Sequence, residues 1–276
     1  YAKNIITLLD DGNTIPFIAR YRKEMHGSMD DQLIREFAEK LEYLRGLDKR
    51  RDEIRSLIDA QEKLTDEINL ALDKAATLSE LEDIYRPYRP KRKTRASIAK
   101  EKGLEPLAND ILKQEKGFDP SKSAVDYIDE ENGVTSVEDA IQGAMDIIAE
   151  LVSDNAEIRK RIRNLTNANG VLVSVATDEE KDSVYKNYYD YKEPVKKIAG
   201  HRVLAVNRGE KEGFLKVSVE TDSEKPLNSI FRAMITDKNQ LCSDIIREAC
   251  TDAYQRLIYP SIGRYAEGTK LNTHTD

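Results

Sequence analysis

The sequence predicts a mainly α, multi-helical protein with helix-turn-helix-like elements and one small antiparallel β-sheet or hairpin. Three observations carry this. Of 276 residues, 44 are Lys or Arg and 51 are Asp or Glu, while 39% are apolar; charge of both signs beside a modest apolar share suits helices with one buried stripe and a wide solvated face. Apolar residues between 33 and 58 recur at spacings of three, four and seven, the period of a helix face. Beyond Gly170 the pattern changes to short β-branched runs, which read as strands.

The elements follow in order. Ile5, Ile6, Leu8 and Leu9 mark a helix that Asp11-Gly12-Asn13 ends. Residues 15–23 form a short apolar-then-basic segment, with Pro16 in a first turn where a missing N–H costs nothing. Ser28 with Asp31 three residues on predicts a cap for one long helix over about 30–60, striped by Leu33, Phe37, Leu41, Leu44, Leu47, Ile54 and Ile58. Arg51 falls on that seam, so the pairing is not a clean coiled coil. Thr65 caps a helix over 66–75, and Thr77 with Glu80 forms a capping box for the next. Pro87 and Pro90 end that helix, because each removes a donor and restricts its predecessor. Thr94 caps a helix closing at Gly103, and a short one covers 105–115. Helices over 121–130 and 137–152 lead to a basic helix over 154–166, ended at Gly170.

Val171 to Ala176, His201 to Val206 and Phe214 to Val219 read as strands, the last two as a hairpin around residues 208–213. The Tyr-rich stretch 178–197 reads as irregular. Helices over 226–235 and 238–258 follow, and Pro260 stops the last. The domain reading is an N-terminal helical segment (1–64), a helical, helix-turn-helix-like region (65–170), and a hairpin element with C-terminal helices (171–262). Residues 263–276, rich in Gly and Thr, read as a truncation or added tail.

Several function classes fall away. No stretch approaches the ~18 consecutive apolar residues of a membrane span. The chain opens Tyr-Ala-Lys-Asn, which predicts a piece of a longer protein without a secretory leader. Cys242 and Cys250 lie eight apart on a predicted helix, about 12 Å along it, too far to bridge; a reducing cytoplasm is the expected compartment. Only His26, His201 and His274 occur, and no Cys/His cluster has metal spacing. Gly209 and Gly213 lie among charges and make no phosphate-cradling loop. No cofactor, no metal and no enzymatic activity are expected.

The net charge of -7 argues against a general polyanion binder, but it is a sum of unlike parts. Residues 86–102 hold eight basic residues and one acidic, a local +7, so the other 259 residues carry -14. Arg86, Arg89, Lys91, Arg92, Lys93, Arg95, Lys100 and Lys102 are the candidate nucleic-acid contacts. Pro87 and Pro90 hold the loop extended, and Tyr85 and Tyr88 could stack on bases. Pairing of these cations with the acidic remainder, or docking on another domain, is the alternative. Arg20, Arg22 and Lys23 are read as pairing with Glu36, Glu39 and Glu42 above a core of Phe17 and Ile18. Arg159, Lys160, Arg161 and Arg163 crowd one short helix, where they cannot share a face, and read as solvated, with nucleic-acid or partner binding as the alternative.

Thr14-Ile-Pro-Phe-Ile-Ala-Arg-Tyr-Arg-Lys-Glu24 with Gly27-Ser-Met-Asp30 resembles the opening of the Tex family of bacterial transcription accessory proteins. The resemblance continues through residues 78–95, 102–108 and 142–148, then at Tyr189-Asp-Tyr191, His201-Arg202 and Gly209-Glu-Lys-Glu-Gly213. It implies the N-terminal helical region of a longer protein whose family members carry, further on, a ribonuclease-H-like domain, helix-hairpin-helix elements and an S1 RNA-binding domain. It also implies RNA or DNA as a partner, with little sequence specificity. The competing expectation is a scaffold that docks RNA polymerase or the family's C-terminal domains.

Overall fold

The computed structural model describes residues 1–262, in two compact units, Tyr1–Tyr85 and Arg86 onward. The expected tail at 263–276 lies outside the described residues. Among the described residues there are fourteen α-helices and one three-stranded antiparallel sheet, so the mainly α reading holds.

The first unit contains α1 (Ala2–Asp10), α2 (Ile15–Tyr21), α3 (Lys23–His26), α4 (Asp31–Asp59), α5 (Asp66–Lys74) and α6 (Leu78–Tyr85). The long predicted helix is α4, but its cap is Asp30, which accepts the Leu33 N–H at 2.8 Å. Ser28 sits too early: Gly27 and Ser28 both have positive φ, +67° and +63°, and turn the chain before the helix begins. The stripe on α4 is also narrower than expected. Ile34, Ile54 and Ile58 are fully buried, whereas Leu33 and Leu44 are nearly half exposed. Ile34 joins Ile5, Leu8 and Ile18 in one apolar cluster, while the C-terminal half of α4 packs on α5 and α6. Arg51 is explained by that second contact. Its Nε donates to Leu72 O and its Nη2 to Ala75 O, both at 2.8 Å, adding donors to carbonyls at the C-terminal end of α5. His26 is fully buried. Its Nδ1 accepts the Met29 N–H at 2.9 Å and its Nε2 donates to Ile18 O at 2.8 Å, so the ring ties α2 to the turn before α4.

The second unit is built on one central helix. It contains α7 (Arg95–Glu101), α8 (Glu105–Lys113), α9 (Pro120–Ala124), α10 (Val137–Asp154), α11 (Ala156–Asn169), α12 (Gly200–Lys211), α13 (Glu224–Met234) and α14 (Gln240–Asp252). Ser136 caps α10 by accepting the Asp139 N–H at 3.1 Å. Helix α10 then buries Ala140, Gly143, Ala144, Ile147, Ile148, Ala149 and Val152 against α7, α8, α9 and α14. Small residues let the neighbours approach: a Cβ on Gly143 would stand 2.3 Å from Leu104 Cδ1. Two buried amides fasten the far side. Gln114 donates to Met234 O at 2.8 Å and accepts the Thr236 N–H at 2.9 Å. Asn239 donates to Glu115 O and Phe118 O at 2.7 and 2.8 Å.

The sheet differs from expectation. Strand β1 is Val171–Ala176, β2 is Asp190–Pro194 and β3 is Leu215–Glu220, in the order β2-β1-β3. Leu172 stands opposite Glu193 on one side and Val219 on the other. The predicted strand at 201–206 is instead part of helix α12, and the predicted 201–219 hairpin is a helix followed by a strand. The β-branched run there obscured a helical stripe: Val203, Val206 and Gly209, three apart, are the buried positions. Gly209 is needed where α12 meets the sheet, since a Cβ would lie 2.5 Å from Leu215 Cδ1. The partner strand came from the stretch read as irregular.

Two further corrections concern α11 and the last helix. Arg159 and Arg163 are buried, only Lys160 and Arg161 lying exposed, so the helix is not solvated all round. Arg159 donates to Ser153 O at 3.0 Å and Ser261 Oγ at 2.5 Å. Pro260 does not stop the last helix, which runs to Ile262. Residues Ala253–Ile258 widen into a π-helix, with the Tyr259 N–H bonded to Tyr254 O. That register gives room for a ring that would otherwise clash one turn back.

Candidate nucleic-acid interface

The basic segment begins at the first residue of the second unit. Arg86–Tyr88 form a single 3₁₀ turn, residues 90–94 run without regular structure, and Thr94 starts α7. Its capping box is closed by Ser97: the Thr94 side chain accepts the Ser97 N–H at 3.0 Å, and the Ser97 hydroxyl accepts the Thr94 N–H at 2.8 Å. Between Pro87 and Pro90 the chain therefore turns, with the Arg89 N–H bonded to Arg86 O at 3.4 Å, rather than running extended as expected, and the segment is fixed at its far end by a helix cap.

The eight cations divide by what they touch. Arg86 Nε donates to Asp154 Oδ1 at 3.1 Å, and Lys91 Nζ pairs with Asp154 Oδ2 and stands 3.7 Å from Glu150. Asp154 is the last residue of α10, with a side chain only 14% exposed. A carboxylate at a helix C-terminus meets the negative end of the dipole, and two cations here offset that. Lys102 donates to Gly133 O at 3.2 Å. Lys93 lies 3.4 Å from Glu101 and Lys100 4.0 Å from Glu105, all four side chains well exposed. Arg89, Arg92 and Arg95 are also exposed. Arg95 lies close enough to Asp146 to act on it: burial holds that carboxyl above its ordinary value, opposed by a Gln142 hydrogen bond and by the charges of Arg95 and Arg256.

The aromatic part of the expectation changes. Tyr85 is 6% exposed and lies under the Arg50 guanidinium in the first unit, at 5.6 Å from the ring centroid; it has no face for a base. Tyr88 is half-buried. The segment at Arg20–Lys23 also differs from expectation. Phe17 is 39% exposed and packs on Tyr21 at 5.3 Å, with Arg20 over the Tyr21 ring. Among the described residues no ion pair joins Arg20, Arg22 or Lys23 to Glu36, Glu39 or Glu42. Ile18 is core, as expected.

A second group of cations joins Arg161, already singled out on the basic helix, with two that the sequence reading missed. Arg161 of α11 and Lys225 and Arg232 of α13 line one cleft. The only local signal was the seven-residue spacing of Lys225 and Arg232; Arg161 lies in a distant segment.

A family model described as Tex central region-like matches residues 115–264, and one described as Tex-like protein N-terminal domain matches residues 1–59. The chain belongs to the Tex family. It is 44% identical over 267 residues to the uncharacterized protein YdcI of Bacillus subtilis, covering 96% of this chain and 37% of that protein. It is 40% identical over 217 residues to the transcriptional accessory protein Tex of Neisseria gonorrhoeae, covering 78% and 28%. The human S1 RNA-binding domain-containing protein 1 is 29% identical over 278 residues, covering 95% and 27%. The chain thus spans between about a quarter and two fifths of the length of these relatives. Among the described residues, no helix of this Tex-family chain is long and apolar enough to cross a membrane, and no group of three or more His, Cys, Asp or Glu is placed to hold a metal.

Proposed function

We propose that this chain is the part of a Tex-family transcription accessory protein that contacts RNA or DNA, without catalysis, through the phosphates. The names of the relatives support the process, and the basic segment supports the contact. The observation that carries the reading is the division of labour within residues 86–102. Arg86 and Lys91 hold the loop against Asp154, and Arg89, Arg92, Lys93, Arg95 and Lys100 present charge to solvent. Lys102 steadies the end of α7 on Gly133. Contacts of this kind position a strand without reading its bases. The test is single-stranded RNA binding across a salt series, comparing wild type with Arg89→Glu, Arg92→Glu and Lys93→Glu combined. Loss of affinity with a shallower salt dependence is expected; unchanged binding overturns the reading.

One observation favours a second reading, a protein scaffold. The Arg86–Asp154–Lys91 cluster spends two of the eight cations on the chain itself. On this reading the exposed remainder docks RNA polymerase or the C-terminal domains of a longer protein. A pull-down with nuclease treatment separates the two: polymerase retained after nuclease, with no RNA binding, favours the scaffold.

A further inference from the structure

The cleft between α11 and α13 gathers cations that make no ion pair among the described residues. The two helices pack directly on each other. Their groove, about 480 Å³, is lined by Arg161, Leu165, Lys225, Asn228, Ser229 and Arg232. On α13 the polar lining recurs at positions 225, 228, 229 and 232, one helical face running about 10 Å along the axis. Arg161 stands opposite on α11; its neighbours Arg159 and Arg163 turn inward and are buried, so Arg161 is the one of these three arginines that faces out.

The charge of this groove is one-sided. Arg161, Lys225 and Arg232 are all exposed, and among the described residues none of them makes an ion pair. Among the described residues no carboxylate lines the cleft; Glu157 and Glu224 stand on the same two helices but outside it. An adjoining hollow of about 330 Å³ shares Asn228 and Arg232 and extends the track to Arg247, whose guanidinium lies over the Phe231 ring at 4.5 Å. Asp237 is the one carboxylate there among the described residues. The contrast with residues 86–102 is direct: that segment has more cations, but several already hold carboxylates.

We infer that the α11–α13 cleft binds successive phosphates of a polyanionic chain, either a nucleic-acid backbone or inorganic polyphosphate. Two guanidinium groups and one ammonium suit phosphate oxygens, and the Asn228 amide and Ser229 hydroxyl supply neutral donors of the kind that contact backbones. Concave walls concentrate the field of the cations in a chain that is otherwise acidic. A peptide partner fits less well, because Leu165 is the only large apolar side chain among the described residues of the lining. The site is separate from the basic segment and does not depend on the reading given to it.

The test uses the chain with Arg161→Gln, Lys225→Gln and Arg232→Gln combined. Lys116→Gln, Lys122→Gln and Lys211→Gln, which remove the same charge from exposed positions elsewhere, serve as the control. The probe is labelled single-stranded RNA over a salt series, with inorganic polyphosphate as a competitor. Three lost contacts at about 0.7 each predict a log–log salt slope shallower by about 2, and affinity lower by about a hundredfold near 0.1 M salt. Melting temperature, read alongside, shows that the cleft variant is folded. Equal binding by the cleft variant and the control overturns the inference, whatever the basic-segment variants do. A loss confined to the cleft variant supports it, even if basic-segment variants bind normally and the proposed function fails. Displacement of the RNA by polyphosphate assigns recognition to phosphate alone; no displacement assigns it to the nucleotide chain.

Discussion

Replacing Asp154 by Asn tests whether the chain withholds two of its own cations from a ligand. In the native protein the Asp154 carboxylate, 14% exposed, bonds Arg86 and Lys91, whose side chains are 29% and 30% exposed. The substitution keeps the shape and removes the charge. Water still reaches both cations, so the stability cost lies between that of an exposed pair and that of a buried one, about 1–2 kcal/mol. For a unit of this size that lowers Tm by roughly 2–8 °C. The binding effect has the opposite sign. Two cations released to phosphate at about 0.7 each steepen the log–log salt slope by about 1.4, with up to about 25-fold tighter binding near 0.1 M salt. Fluorescence anisotropy of labelled RNA across a salt series, paired with thermal melting, reads both. Lower Tm with an unchanged slope would refute the claim that these cations can serve as phosphate contacts and would leave them a purely structural role. No change in either would mean that the ion-pair cluster does not form.

Other outcomes follow from the packing. Gly143→Ala places a methyl against Leu104 where α10 meets the α7–α8 turn, and overpacking of this kind costs about 1–3 kcal/mol in urea unfolding; a neutral result would show that Leu104 can swing aside. Arg159→Met leaves Ser153 O and the Ser261 hydroxyl without a donor and should lose about 1–3 kcal/mol, with faster proteolysis after α14 as the local readout. Asp146 binds its proton more tightly folded than unfolded, chiefly through burial, so it opposes folding as pH rises through the unfolded value of about 4 and above. Asp146→Asn should therefore gain stability at neutral pH and show no gain in acid; equal effects at both would contradict the assignment. Burial pushes the Cys250 thiol up to about 12, so thiol-specific labelling at neutral pH should proceed only at the rate of unfolding.

The caps were legible because they are local. Thr65, Thr77 and Thr94 each announce a helix within four residues, and each accepts the backbone N–H expected of it. Failures came where tertiary contacts decide. Val203-Leu-Ala-Val206 has strand-like residues, yet its burial pattern is helical because it lies across the sheet rather than in it. Arg159 looked like one charge among four, and only the return of the chain at Ser261 makes it a buried anchor. Pro260 read as a stop because a single residue does not reveal the π register behind it. The same limit governs the candidate interface. The eight cations stood in plain view, but Asp154, which holds two of them, lies about sixty residues away.

The ion pairs around the basic segment differ in how readily a phosphate could take the place of a carboxylate. Lys93–Glu101 and Lys100–Glu105 are open to water on both sides, and such pairs contribute about 0–1 kcal/mol. A charge-assisted bond to phosphate contributes about 1.5–3 kcal/mol, so exchange is favourable and the carboxylates act as weak placeholders. Asp154 is different: it is mostly covered, and removing its partners leaves a charge at the C-terminus of α10 with little water to stabilise it. A ligand gains less by competing there than it costs the protein. Proximity in sequence therefore does not make the eight cations one site. Arg86 and Lys91 shape the loop, Arg92, Lys93, Arg95 and Lys100 are exposed beside it, and the cleft on α11 and α13 has no carboxylate in its lining among the described residues.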